Sequence, residues 1–151
     1  MNNVIKAPVK IENGNFDPNK KTIFLGGSIT GSEDWQEYAS EKLAETFNVL
    51  NPRRDSFDLT DITQSEIQID WEFEYLRKAD IILFWFQGHT LSPITLFELG
   101  GALERNPVIY VGCDDMYYRK FDVTYQCSKF GVKVFDDLKS MIDKILLDFK
   151  A

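Results

Sequence analysis

Glu98 has the setting that most asks for chemistry. It stands in Ile94-Thr95-Leu96-Phe97-Glu98-Leu99-Gly100-Gly101-Ala102, one carboxylate among apolar and small side chains. An acid in so apolar a stretch is costly to bury unless it is paired or hydrogen-bonded. Buried, its pKa would rise through desolvation and it would serve as a base or nucleophile. Exposed, it would be an ordinary helix glutamate beside residues that merely pack. A second acidic cluster is Asp70-Trp71-Glu72-Phe73-Glu74. Three acids interleaved with aromatics cannot all face water while the aromatics all face a core. Trp71, Tyr75 and Ala79 share one face at four-residue spacing, and Glu72 lies beside Ile69 and Leu76 on the next. Glu72 is therefore the acid placed at the boundary of the buried layer, with Asp70 and Glu74 on the solvent side.

Other segments offer binding rather than reaction. In Gly26-Gly27-Ser28-Ile29-Thr30-Gly31-Ser32 the glycines allow close backbone approach, and free amides with hydroxyls can hold a phosphate or sugar. The segment is neither a Walker A loop nor a dinucleotide fingerprint, and a plain tight turn is the competing reading. Asn51-Pro52-Arg53-Arg54-Asp55 carries two guanidinium groups, suited to an anion or a base edge, or else to a solvated rim paired with Asp55 or Asp58. His89 has no nucleophile motif around it and reads as a loop residue. Cys113 reads as filler, and Tyr117, Tyr118 and Arg119 as cover for a cleft or contacts to a neighbouring subunit.

Composition narrows the classes. The chain has 151 residues, 44% hydrophobic and 14% aromatic, with a net charge of −7. That length fits one domain with a real core, and the aromatic content excludes disorder or collagen. The acidic balance argues against a nucleic acid polymer or an anionic membrane as partner. Two cysteines make no disulfide framework, and with a single histidine they leave little for a zinc site. No metal or other cofactor is expected. The first ten residues lack the apolar core of a signal peptide, and the longest apolar run, Ile81 to Phe86, is too short to cross a bilayer. The expected location is the cytoplasm, with reduced thiols.

The elements that would position these residues alternate regularly. Residues 1–20 are polar and turn-rich, and are read as an extension, although Val4 to Ile11 has the makings of an edge strand. Strands are expected at Thr22–Leu25, Asn48–Leu50, Ile81–Phe86, Pro107–Gly112 and Val132–Phe135. Helices are expected at Trp35–Phe47, Thr63–Ala79, from Ser92-Pro93 to about Glu104, and at Asp137–Phe149, with Ser92 capping the third. Residues 116–130 are ambiguous between loop and short helix. Alternating strands and helices imply parallel pairing through right-handed crossovers. The expectation is a single domain over 21–151, α/β, with a three-layer doubly wound sheet of about five parallel strands, flavodoxin-like. Ligands of such sheets bind where strands end, which selects the loops after Leu25, Leu50, Phe86 and Gly112.

Taken in order, GGSITGS, WEFEYLRKADIILFWF and SPITLFELGGAL resemble the nucleoside 2-deoxyribosyltransferase-like family, which includes deoxynucleoside 5′-monophosphate N-glycosidases. The resemblance covers about Thr22 to Val111. It implies that Glu98, in Glu-Leu-Gly, is the nucleophile and that Glu72, eight residues before Asp80, assists at the base, where the family more often has Asp. It also places Ser92 where nucleoside transferases tend to carry Asp and monophosphate hydrolases Ser. Gly26, Gly27, Ser28, Pro52, Arg53, Trp71, Phe86 and Ser92 are the expected substrate-side residues, with Trp71 or a residue near Phe86 stacking on the base. The implied reaction is retaining transfer of a (deoxy)ribosyl group between nucleobases through a glycosyl-glutamate. The alternatives are hydrolysis of nucleoside 5′-monophosphates and a non-catalytic nucleotide- or flavin-binding module. Implied partners are a nucleoside or nucleotide, a free base, and further copies of the chain in a homo-oligomer.

Overall fold

The structure, a computed structural model, describes residues 3–58 and 60–150. In chain order these form β1 (Val4–Lys6), a 3-10 turn (Ile11–Asn13), β2 (Thr22–Gly27), α1 (Trp35–Leu43), β3 (Asn48–Asn51), α2 (Ile62–Lys78) and β4 (Ile81–Phe86). There follow α3 (Pro93–Arg105), β5 (Val108–Cys113), α4 (Lys120–Lys129), β6 (Val134–Phe135) and α5 (Leu138–Asp148). The strands are parallel in the order β1-β3-β2-β4-β5-β6, with five flanking helices, an α/β flavodoxin-like three-layer fold. About five strands were expected; the sixth is β1, which pairs with β3 through Val4↔Val49 and Ile5↔Leu50. A three-residue edge strand carries too little pattern of its own to be told from a polar extension. By its internal contacts the chain divides into two compact units, residues 3–25 with 35–80 and residues 26–34 with 81–150.

In the first unit, α2 buries Gln68, Trp71, Tyr75 and Leu76, a stripe at helical spacing. Asp61 caps it, accepting from the Thr63 and Gln64 amides. Trp71 packs on Phe24 with ring centroids 5.9 Å apart and meets Tyr75 edge-on at 4.9 Å. The Trp71 indole N–H donates to the Val9 carbonyl at 2.7 Å, and the Ile11 amide donates to the Tyr75 hydroxyl at 2.9 Å. Lys10 reaches Glu74 at 2.6 Å, which also takes Lys78 at 2.9 Å. Residues 9–11 are thus laid along α2. At the start of β2, the Thr22 amide and hydroxyl both donate to Asp80 Oδ2, at 2.8 and 3.1 Å.

In the second unit, β4 pairs with β5 from Ile81↔Val108 to Phe86↔Cys113, and β5 with β6 through Val111↔Val134. All six residues of β4 are buried, as a strand covered on both faces requires. α3 packs on β4 and α5 on β5, the latter burying Met141, Ile142 and Ile145. The ambiguous stretch from 116 resolves into α4, which buries only Val123 and Cys127 and so shows weak periodicity. Among the described residues no helix is long and apolar enough to cross a membrane.

Two outcomes follow for the first unit. Trp71→Phe removes the bond to Val9 and part of a buried ring, and should lower stability by about 1–2 kcal/mol in denaturant titration. The hydrogen bonds from Lys10, then Lys78, hold the Glu74 carboxyl below its ordinary value. Its contribution is present above the usual carboxylate range and is lost as pH falls through the depressed value. Glu74→Gln should therefore lower the melting temperature near pH 7, and the gap to wild type should close on acidification below about pH 4.

Candidate functional site

In the second unit the expected residues gather at the carboxyl ends of strands. Gly26 lies against Phe84, where an added Cβ would sit 2.8 Å from the ring, so only glycine lets this strand end run so close. Gly27 and Ser28 follow, partly buried. The Ser32 hydroxyl donates back to the carbonyls of Ser28 and Ile29 at 3.0 and 3.2 Å, which folds the Gly-Ser segment onto itself. Phe86 closes β4, fully buried, with its ring 5.0 Å from that of Tyr117.

Glu98 stands on the second turn of α3, partly buried. That helix turns Thr95, Leu99, Ala102 and Leu103 inward, so Glu98 flanks the buried face beside Thr95 and Ala102. Away from that buried face α3 carries open apolar side chains, with Ile94 64% and Phe97 82% exposed.

Ser92 departs from expectation. It occupies the cap position of α3 and is buried, but its side chain makes no capping bond. Its backbone is left-handed, φ 49°, whereas a capping serine needs extended backbone to aim its oxygen at the next amides. The hydroxyl instead pairs with Thr90 Oγ1 at 2.8 Å, and Thr90 donates to the Gln87 carbonyl, also at 2.8 Å. His89, exposed in the same loop, is left-handed as well, at φ 62°. Two non-glycine residues in that region store roughly 1–3 kcal/mol each, which persists only where neighbouring contacts impose it. Here they are supplied by Trp85, whose indole donates to Gln87 Oε1 at 2.7 Å, and by Tyr117, whose hydroxyl donates to the Leu91 carbonyl at 2.8 Å. Burial, with Tyr118 nearby, pushes the Tyr117 hydroxyl up to about 12, so it remains a donor at neutral pH.

In the first unit, Pro52 and Glu72 are joined by one side chain. Gln68 Nε2 donates to the Pro52 carbonyl and to Glu72 Oε2, both at 2.8 Å. Glu72 is partly buried. Arg53 donates from its guanidinium to Gln36 Oε1 at 2.9 Å, and its amide donates to Asn51 Oδ1 at 2.9 Å, which sets the turn after β3. Asp55 pairs with Lys6 at 3.0 Å, and Arg54 lies over the Phe57 ring. Trp71, one residue before Glu72, is 1% exposed, its ring and N–H committed to Phe24, Tyr75 and Val9.

Reasoning from residue types alone missed Gln68, Thr90 and the inward role of Tyr117, all of which act on carbonyls or side chains that no short motif announces. Burial pushes the Cys113 thiol up to about 12 and Cys127 up to about 11, so neither is a thiolate nucleophile at neutral pH. Among the described residues no group of three or more His, Cys, Asp or Glu is placed to hold a metal ion. If Tyr117 braces the loop, Tyr117→Phe should cost about 1 kcal/mol of stability and speed amide hydrogen exchange in residues 87–92 beyond that of β4.

A comparison with curated proteins returns no match. Against known families, residues 20–117 match the one described as nucleoside 2-deoxyribosyltransferase like. The matched span takes in β2 through β5 and every candidate residue above. Members of this family are in general glycosyl-transferring enzymes that act on nucleosides and nucleobases. With well over half of its length in the match, the chain belongs to the nucleoside 2-deoxyribosyltransferase-like family.

Proposed function

We propose that the protein transfers a (deoxy)ribosyl group between nucleobases with retention of configuration, Glu98 acting as nucleophile and Glu72 as the acid/base at the nucleobase. The observation that carries this reading is a partly buried carboxylate, Glu98, beside the inward face of α3 within the family-matched span. The Glu98 carboxylate attacks the anomeric carbon, the C–N electron pair leaves with the base, and that base takes up a proton from Glu72. A second base then attacks the glycosyl-glutamate and gives up its proton, and Glu98 departs as a carboxylate. Two inversions give retention, and one hard step becomes two. Glu72 supplies general acid–base help, worth about 10²–10⁴-fold in such steps. Gly26, Gly27, Ser28, Pro52, Arg53, Phe86 and Ser92 serve the substrate, and Trp71 serves from behind, by packing the helix that carries Glu72. The working form is a cytoplasmic homo-oligomer, a reading supported by the open Ile94 and Phe97 on α3.

A second reading is base release from nucleoside 5′-monophosphates. It is favoured by Ser92, which adds no negative charge, and by the first turn of α3, whose amides Ser92 leaves uncapped. Incubating the protein with a deoxynucleoside or its monophosphate, with and without a second base, and separating products by chromatography decides between them. Exchange of bases supports transfer. Release that requires the 5′-phosphate and weakens in Ser92→Asp supports hydrolysis. Tight binding without release over long incubation supports a non-catalytic nucleotide- or flavin-binding module. Under either catalytic reading Glu98→Ala, with its fold intact, should lose roughly a thousandfold or more in turnover and form no glycosyl-enzyme adduct by mass spectrometry.

A further inference from the structure

We infer that Gln68 is a positioning residue that clamps the Glu72 carboxylate in one orientation, using the Pro52 carbonyl as its fixed point. The inference rests on the assignment of Glu72 to the nucleobase in the proposed function. Gln68 is one helical turn before Glu72, and only 8% exposed. Its carboxamide nitrogen donates both protons, one to the Pro52 carbonyl and one to Glu72 Oε2, each at 2.8 Å. Its oxygen, Oε1, is enclosed and has no hydrogen-bond partner. An enclosed acceptor without a donor is costly, and each such atom asks for a reason. The reason lies in the alternative. Turning the carboxamide over would set its oxygen against a carbonyl oxygen and a carboxylate oxygen, two acceptors with nothing to donate. The orientation is therefore imposed by Pro52 and Glu72 together, and the orphaned oxygen is what it leaves behind.

The fixed point is itself stiff. Proline restricts its own backbone, and the Arg53 amide is tied to Asn51 Oδ1 at 2.9 Å, so the carbonyl between them has little room to swing. A glutamate is longer by one carbon than an aspartate and has one more rotatable bond. A donor that holds one carboxylate oxygen removes that freedom, as a supporting hydrogen bond does for any acid/base group that must meet a proton at a set distance. Gln68 thus makes a glutamate behave as the shorter acid would.

The test separates positioning from mere support of the fold by asking whether the leaving base still needs a proton. Gln68→Met keeps the size of the side chain and removes the donor; Gln68→Leu is a little smaller and also removes it, without adding a charge beside Glu72. Single-turnover release of the first base is measured for an ordinary purine deoxynucleoside and for its N7-methylated counterpart, whose cationic base departs without protonation. For the ordinary substrate both variants should lose roughly tenfold or more in the rate of release, with little change in KM under turnover. For the N7-methylated substrate the loss should stay under about threefold. Glu72→Gln should show the same selective loss, and Glu98→Ala should lose both substrates. Equal losses on the two substrates, or no loss on the ordinary one, would overturn the inference while leaving the proposed reaction standing. Should Gln68→Met melt below the assay temperature, the comparison is made on Gln68→Leu. A wild-type protein inert to both substrates overturns the glycosyl-transfer reading and this inference with it.

Discussion

Every side chain of β4 is withdrawn from water, and that constraint shapes the second unit. A strand covered on both faces can present no polar chemistry along its length, so polar groups must come from the chain just past its end. Between Phe86 and α3 that chain turns back on itself within six residues, two of them left-handed. The loop is bound to itself and to its neighbours by Trp85, Thr90, Ser92 and Tyr117. Those bonds offset the strain, and α3 emerges with its second turn, and so Glu98, in a defined place. Thr90 and Tyr117 thereby help to set where Glu98 stands.

The first unit solves a different problem. α2 has to bury Trp71 and Tyr75 and still carry Glu72 at the margin of the same surface. Adjacent residues on a helix point about 100° apart, so the aromatic stripe and the acid are separated by a single step of the chain. Gln68 stands one turn earlier and closes that margin, its carboxamide nitrogen bonded to Pro52 on one side and Glu72 on the other. Packing and polarity meet in one side chain.

How much of this was legible in the sequence follows from the range of each interaction. β4 announced itself by an unbroken apolar run, α2 and α3 by periodicity, and Glu98 and Glu72 by their apolar surroundings. β1 did not, because three residues at an edge gain their identity from pairing with β3 rather than from pattern. Ser92 was expected to cap α3; residue type favours that, yet its φ is set by the loop's own bonds, and its hydroxyl went to Thr90 instead. Gln68 and Tyr117 were silent for a related reason. Their partners are carbonyls 16 and 26 residues away, and a carbonyl has no letter in the sequence. Trp71 was expected to stack on the base; its spacing with Tyr75 and Ala79 put it on their face, and the structure buries it there with the indole facing protein.

The strap of residues 9–11 along α2 bears on how the protein is handled. The family match begins only at residue 20, and a shortened version cut to that border would look complete by resemblance. It would nevertheless strip Val9 from the Trp71 indole, Ile11 from the Tyr75 hydroxyl and Lys10 from Glu74. The helix bearing Gln68 and Glu72 would lose its outer splint, so an affinity tag is better attached at the far terminus and the leading twenty residues kept.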